Sequence, residues 1–154
     1  MERSVNRVRA AAVASGLDIT IEKMPESTRT ALEAATACRC AIGQIVKSMI
    51  FEGGQTGTLK LLLVSGDHEV DLSQAARVFD EPLGRADPKR VRAQTGFAIG
   101  GVSPIGHKSA IQAWMDESLL NHTDVWAAAG APNAVFRVSP VDLRTVTHAL
   151  FRVA

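Results

Sequence analysis

The chain has 154 residues, 46% of them apolar and 21% charged, enough for one core without disulfides or a structural metal and too apolar for a disordered chain. Lys and Arg total 17 against 16 Asp and Glu, which excludes a protein that coats nucleic acid by bulk charge; any nucleic acid must be met locally. No apolar run is long enough to span a membrane, the N-terminus lacks a signal-peptide core, and Cys38 and Cys40 lie too close together to staple distant parts of a fold. A cytoplasmic protein is expected.

Ser4 is placed to cap a first helix with Val5, Val8, Ala12 and Val13 at helical spacing and Gly16 at its end. Residues 18–24 alternate as a strand, with Ile19, Ile21 and Lys23 on one face, closed by Pro25. Ser27 or Thr28 starts a second helix through Thr36. The stretch from Ile42 to Phe51 is β-branched and apolar and reads as a strand carrying Lys47. A turn at Gly53, Gly54 and Gly57 leads into Leu59–Ser65, a run apolar enough to be covered on both faces, so the two strands suggest a central hairpin.

Asp71 caps a helix over 72–79, and Asp87 caps another beginning at Pro88 and running through Gln94. Residues 95–107 hold four glycines and a proline and read as a shaped loop. Strands are expected over 110–115, 124–129 and 133–138, followed by a helix over 140–150. Without a repeated βαβ period, the order favours an α+β fold: one domain over 1–154, built on a mixed sheet with helices outside.

Lys47 shares a strand face with Ile45, Met49 and Phe51, so its charge sits among apolar neighbours. The plain alternative is an edge-strand lysine whose head reaches water along its stem; the sharper one is a lysine facing an anionic or polarised ligand. Gly100-Gly101-Val102-Ser103-Pro104 allows close backbone approach, fits neither dinucleotide nor P-loop spacing, and has an ordinary surface turn as its alternative. Gly130-Ala131-Pro132-Asn133 is a second such loop, significant only if it faces the first. His68, between Asp67 and Glu69, suits either proton transfer or a polar strand-end turn. Cys38-Arg39-Cys40 lacks the second pair a zinc site needs, and no metal or cofactor is expected.

Taken together, residues 43–48, Gly66-Asp67-His68, residues 95–107 and residues 125–136 resemble the YbaK-like family, related to the editing insertion domain of prolyl-tRNA synthetase, over nearly the whole chain. The resemblance implies a strongly curved, mixed, mostly antiparallel sheet or partial barrel flanked by helices. It implies an activity too: a free-standing deacylase removing a small amino acid from a misacylated tRNA, with tRNA(Pro) as the expected carrier. It places Lys47 and Gly101 at the catalytic centre. It also implies substrate contacts at Ser48, His68, Gly100, Val102, Ser103, Pro104, Gly130, Ala131, Pro132 and Asn133. The implied partners are misacylated tRNA and, transiently, an aminoacyl-tRNA synthetase; neither DNA nor membrane is expected. No serine or cysteine shows an evident histidine and carboxylate partner, so an oriented water or the terminal ribose hydroxyl is the economical attacking group. The competing class is a non-catalytic module that binds tRNA ends or aminoacyl-nucleotides.

Overall fold

The computed structural model describes residues 2–150. Helix α1 (Glu2–Ser15) buries Val5, Val8 and Ala12, and Gly16, at φ +75°, ends it. Two expectations are corrected here. The helix begins before Ser4, whose hydroxyl turns instead toward the Gly96 carbonyl at 3.4 Å, and Val13 lies off the buried stripe at 76% exposure. Strand β1 is shorter than expected (Ile21–Lys23); Lys23 leaves the apolar face to pair with Glu2 at 2.7 Å. Helix α2 (Ala31–Cys38) starts later than Ser27 or Thr28. Thr30 is its cap, and Thr30 and Glu33 form a reciprocal capping box.

Strands β2 (Ile45–Gly53) and β3 (Leu59–Ser65) form the expected hairpin, in register from Val46↔Ser65 to Glu52↔Leu59, and every residue of β3 is buried. Helix α3 (Leu72–Phe79) carries the Asp71 cap. The short strand β4 (Leu83–Arg85) was not anticipated: three residues around a glycine carry too little alternation to be read. Helix α4 (Pro88–Thr95) is capped by Asp87. Strands β5 (Gln112–Met115), β6 (Val125–Ala128) and β7 (Ala134–Val138) follow. Helix α5 (Pro140–Thr147) stops short of Leu150, because His148 turns left-handed (φ 54°) and Leu150 pairs with Trp114 as a short extension of the sheet.

The seven strands run in the order β1-β7-β6-β2-β3-β5, with β4 also on β2. Four pairings are antiparallel (β1–β7, β2–β3, β2–β4, β6–β7) and two are parallel (β2–β6, β3–β5), so the sheet is mixed, mostly antiparallel and unclosed. One cluster holds Val5, Val8, Leu61, Leu63, Phe97 and Phe136. Leu62, Val64 and Trp114 belong to another, together with Ala75 of α3. At about 1.5–3 kcal/mol for each fully buried large side chain, these layers make the hairpin the rigid frame of the molecule.

The turn of that hairpin is held by a buried carboxylate. Glu81 accepts the N–H groups of Gln55 (3.0 Å) and Thr56 (2.9 Å) and the Thr56 hydroxyl (2.8 Å), and Thr56 above all holds its carboxyl below the usual range. The buried Lys60 ammonium sits 3.7 Å from Glu81 and donates to Gln112 at 2.5 Å. Gly53 lies so close that a Cβ would run into the Glu81 carboxylate.

Candidate active site

One edge of β2 is fully paired with β3. The other is paired twice, with β6 at Ile45 and Val46 and with β4 from Phe51 to Gly53. Between them, Lys47 to Ile50 have no strand partner on that edge, and a cavity of about 290 Å³ opens there. Lys47 and Ser48 point to opposite faces of the strand, yet both line the cavity because it occupies the split in the sheet. Thr28, Thr30, Ala31 and Ala34 come from α2 and the turn before it, Gly100 and Val102 from the glycine loop, and Ala127, Ala128 and Val135 from the β6–β7 hairpin. The walls are mostly apolar, with Arg29 and Glu69 as charged groups besides Lys47.

The Lys47 ammonium donates to the His68 carbonyl at 2.5 Å, which leaves two of its N–H groups for a ligand. Ser48 supplies the opposite kind of feature: its hydroxyl oxygen is buried and has no hydrogen-bond partner among the described residues. A buried hydroxyl left unpaired costs about 1–3 kcal/mol.

His68 stands outside this cavity. Its ring is half-exposed and lines a neighbouring depression of about 450 Å³ with Asp67, Glu69 and Asp116. Nδ1 lies 2.8 Å from Asp116 Oδ2, and this bond holds the imidazole above its ordinary pKa. Burial pushes the Asp116 carboxyl up, but hydrogen bonds from Ser118, His68 and Ser65 outweigh it and leave the group below its ordinary value.

The two loops meet: a Cβ on Gly101 would lie 3.8–3.9 Å from the Ala131 backbone. Their division of labour differs from the expectation. Gly101 already donates its N–H to the Ala98 carbonyl at 3.0 Å, and the loop residues that line the cavity are its neighbours Gly100 and Val102. Ser103 is fully buried and accepts from Ile105 N–H, and Pro104 lines a separate hollow with Ile105 and His107. Burial pushes His107 down, although its Nε2 lies 2.7 Å from the Ser103 carbonyl.

The second loop packs against other parts of the fold. Gly130, at φ +94°, packs against Ser4 of α1 and Phe97. The Pro132 carbonyl accepts both the N–H and the hydroxyl of Thr28 at 2.8 Å, and Asn133 is bonded to Met24 through its backbone and side chain. Gly130, Ala131, Pro132 and Asn133 therefore lie outside the cavity lining, and Pro132 and Asn133 hold the segment that brings Thr28 to it.

Residues 25–146 match the model of the aminoacyl-tRNA editing domain. The chain belongs to that family. A crystal structure described as that of a candidate trans-editing enzyme for prolyl-tRNA synthetase superposes with a TM-score of 0.90 at 46% identity, covering 96% of this chain and 94% of that one. Among curated relatives, the uncharacterised protein YwhH of Bacillus subtilis is 28% identical over 80% of this chain and 78% of its own length. EbsC of Enterococcus faecalis, described as a candidate Cys-tRNA(Pro)/Cys-tRNA(Cys) deacylase, is 26% identical over 71% of this chain and 66% of its own length.

Several lining residues were not proposed from sequence as site residues, among them Thr28, Arg29, Thr30, Met49, Glu69 and Trp126. Thr30 carried a readable signal, since Thr-x-x-Glu opens a helix. Glu69 and Trp126 stand next to recognised motifs and acquire their place only through folding. A larger groove of about 1030 Å³ runs between α2 and α5. It is lined by Asp18, Glu22, Asp124 and Asp142 against Arg39 and Arg137, a balance that repels phosphate. Among the described residues, no helix is long and apolar enough to cross a membrane.

Proposed function

We propose that this editing domain is a free-standing deacylase that hydrolyses the ester of a misacylated tRNA carrying a small amino acid, with tRNA(Pro) as the favoured carrier. The observation that carries the reading is the mostly apolar cavity in the split of the sheet, lined by Lys47 and by Ser48, whose buried hydroxyl is unpaired among the described residues. Its volume falls at the low end of ligand sites, roughly 300–1,000 Å³, and favours a small aminoacyl group over a bulky one. The names of the prolyl-tRNA synthetase trans-editing neighbour and of EbsC support the choice of carrier.

In this reading the aminoacyl end enters the split. Lys47 holds the terminal phosphate or the polar end of the ester with its two free N–H groups. The N–H groups of Gly100 and Val102 face the carbonyl oxygen, where charge develops as the tetrahedral centre forms. Ser48 donates a hydrogen bond to the entering group. Water, oriented beside the vicinal ribose hydroxyl, adds to the carbonyl carbon; the acyl–oxygen bond breaks, and the ribose oxygen leaves with a proton. No protein nucleophile is required, because the ester is already activated. The reaction takes place in the cytoplasm, with transient contact to a synthetase as the route by which mischarged tRNA arrives.

The test is a panel of purified misacylated tRNAs in which amino acid and tRNA are varied separately, with Lys47→Ala as control and circular dichroism as the fold check. Wild-type protein is expected to deacylate small amino acids on tRNA(Pro), and the folded Lys47→Ala variant to lose that activity. Binding without hydrolysis of any substrate would make the chain a binding module. A fully active Lys47→Ala variant would remove Lys47 from the centre.

A further inference from the structure

The acceptor that fixes Lys47 is a backbone carbonyl, and the loop carrying it is fastened at both ends. At the start, Ser65 Oγ lies 2.8 Å from the Gly43 carbonyl and 2.8 Å from Asp67 Oδ1. Gly66 is pressed so closely onto the preceding turn that a Cβ would run into the Ile42 carbonyl. At the far end the fastening is a side chain: His68 Nδ1 lies 2.8 Å from Asp116 Oδ2 and 3.2 Å from Ser118 Oγ. Asp116 is itself buried, only 8% exposed, and accepts the Ser65 N–H as well as the N–H and hydroxyl of Ser118.

A lysine head on a flexible stem has many rotamers, and a single well-placed acceptor removes most of that freedom. We propose that His68 is a positioning residue for Lys47: its imidazole, latched onto Asp116, fixes the carbonyl that holds the lysine ammonium at the edge of the cavity. This inference rests on the deacylase reading and gives His68 a part in it different from substrate contact. The imidazole opens onto the depression with Asp67, Glu69, Asp71, Asp116 and Glu117, which repels a phosphate backbone, and it does not line the ester cavity.

The latch depends on pH. His68 faces the carboxylates of Asp116 and Asp67, the latter at 3.8 Å from Nε2, with Glu69, Asp71 and Glu117 around the same depression and the Lys47 ammonium opposing them. The carboxylates prevail and favour the imidazolium. A charge-assisted bond is about twice as strong as a neutral one, so the latch weakens as pH rises through the folded-state pKa of His68.

Two variants test the idea. His68→Leu removes the latch; His68→Asn keeps an N–H donor near the Nδ1 position and does not titrate. On whichever misacylated tRNA the wild type deacylates, His68→Leu is expected to lower kcat several-fold at unchanged KM, and His68→Asn to restore most of it. After subtraction of spontaneous hydrolysis, wild-type kcat should carry an imidazole-range decline toward alkaline pH that His68→Asn lacks. A second readout needs no activity: modification of Lys47 by an amine-acylating reagent, mapped by mass spectrometry, should be faster in His68→Leu than in wild type. Wild-type kcat and wild-type Lys47 labelling in His68→Leu would overturn the proposal, as would an effect confined to KM. Should His68→Leu fail to fold by circular dichroism, the pH profile and labelling of His68→Asn decide. Inactivity of wild type on every substrate would refute the deacylase reading, while the labelling comparison would still decide the positioning role.

Discussion

Replacing Gly130 by alanine separates a scaffold loop from a pocket wall. The new Cβ would lie 2.9 Å from the Ser4 carbonyl oxygen and 3.0 Å from Phe97 Cε1, one a helix backbone and the other a fully buried ring. Neither moves cheaply, and overpacking of this kind costs about 1–3 kcal/mol. The φ of +94° adds a left-handed penalty of about 1–2 kcal/mol for a residue with a Cβ. The sum, about 2–5 kcal/mol, corresponds to a fall in Tm of roughly 5–15 °C for a chain of this size. Gly100→Ala is the control: its φ is +92° but nothing lies within 4 Å of its Cβ, so only the left-handed penalty applies. Urea and thermal unfolding followed by the fluorescence of Trp114 and Trp126 measure both. The folded fraction of Gly130→Ala should keep the wild-type KM, whereas Gly100→Ala alters the cavity itself. Equal losses in the two variants, or wild-type stability in Gly130→Ala, would refute the reasoning.

Three further outcomes follow from the same geometry. Ser48→Ala removes a buried unpaired hydroxyl, so the folded protein is expected to gain about 1 kcal/mol in urea unfolding while deacylation falls; a loss of stability would mean that the hydroxyl is already satisfied. His68 has a raised folded pKa, so its share of stability is complete below the unfolded imidazole pKa and is lost as pH rises through the folded one. Asp116 has a depressed folded pKa, so its share is present above the unfolded carboxylate pKa and is lost as pH falls through the folded one. The urea midpoint attributable to the pair should therefore be highest between the carboxylate and imidazole ranges, and Asp116→Asn should flatten both limbs. Burial, followed by the neighbouring Cys40 and Glu22, pushes the Cys38 thiol up to about 11, so its reaction with a disulfide reagent near pH 8 should be far slower than that of a free thiol. Rapid labelling of Cys38 would contradict its half-buried setting.

Local chemistry made much of this fold legible. The all-apolar run 59–65, the Asp71 and Asp87 caps and the alternation around Lys47 act within a few residues, and each names its element without reference to the rest of the chain. The errors are of the opposite kind. Ser4 and Thr28 have the right chemistry for caps, but contacts 92 and 104 residues away in sequence give their hydroxyls other partners. β4 exists because β2 offers it an open edge.

The same boundary runs through the site. Sequence alone determined that Lys47 lies on an apolar strand face and that two glycine loops interrupt the regular elements, because period and φ are local properties. Only the tertiary structure decided which of those residues meet. A split between two partners on one strand edge puts Lys47, Ser48, Gly100 and Val102 around one cavity, and the same packing turns Gly130 to Asn133 into its support. Strand pairing is a long-range choice made by the whole core at once, and no window of sequence contains it.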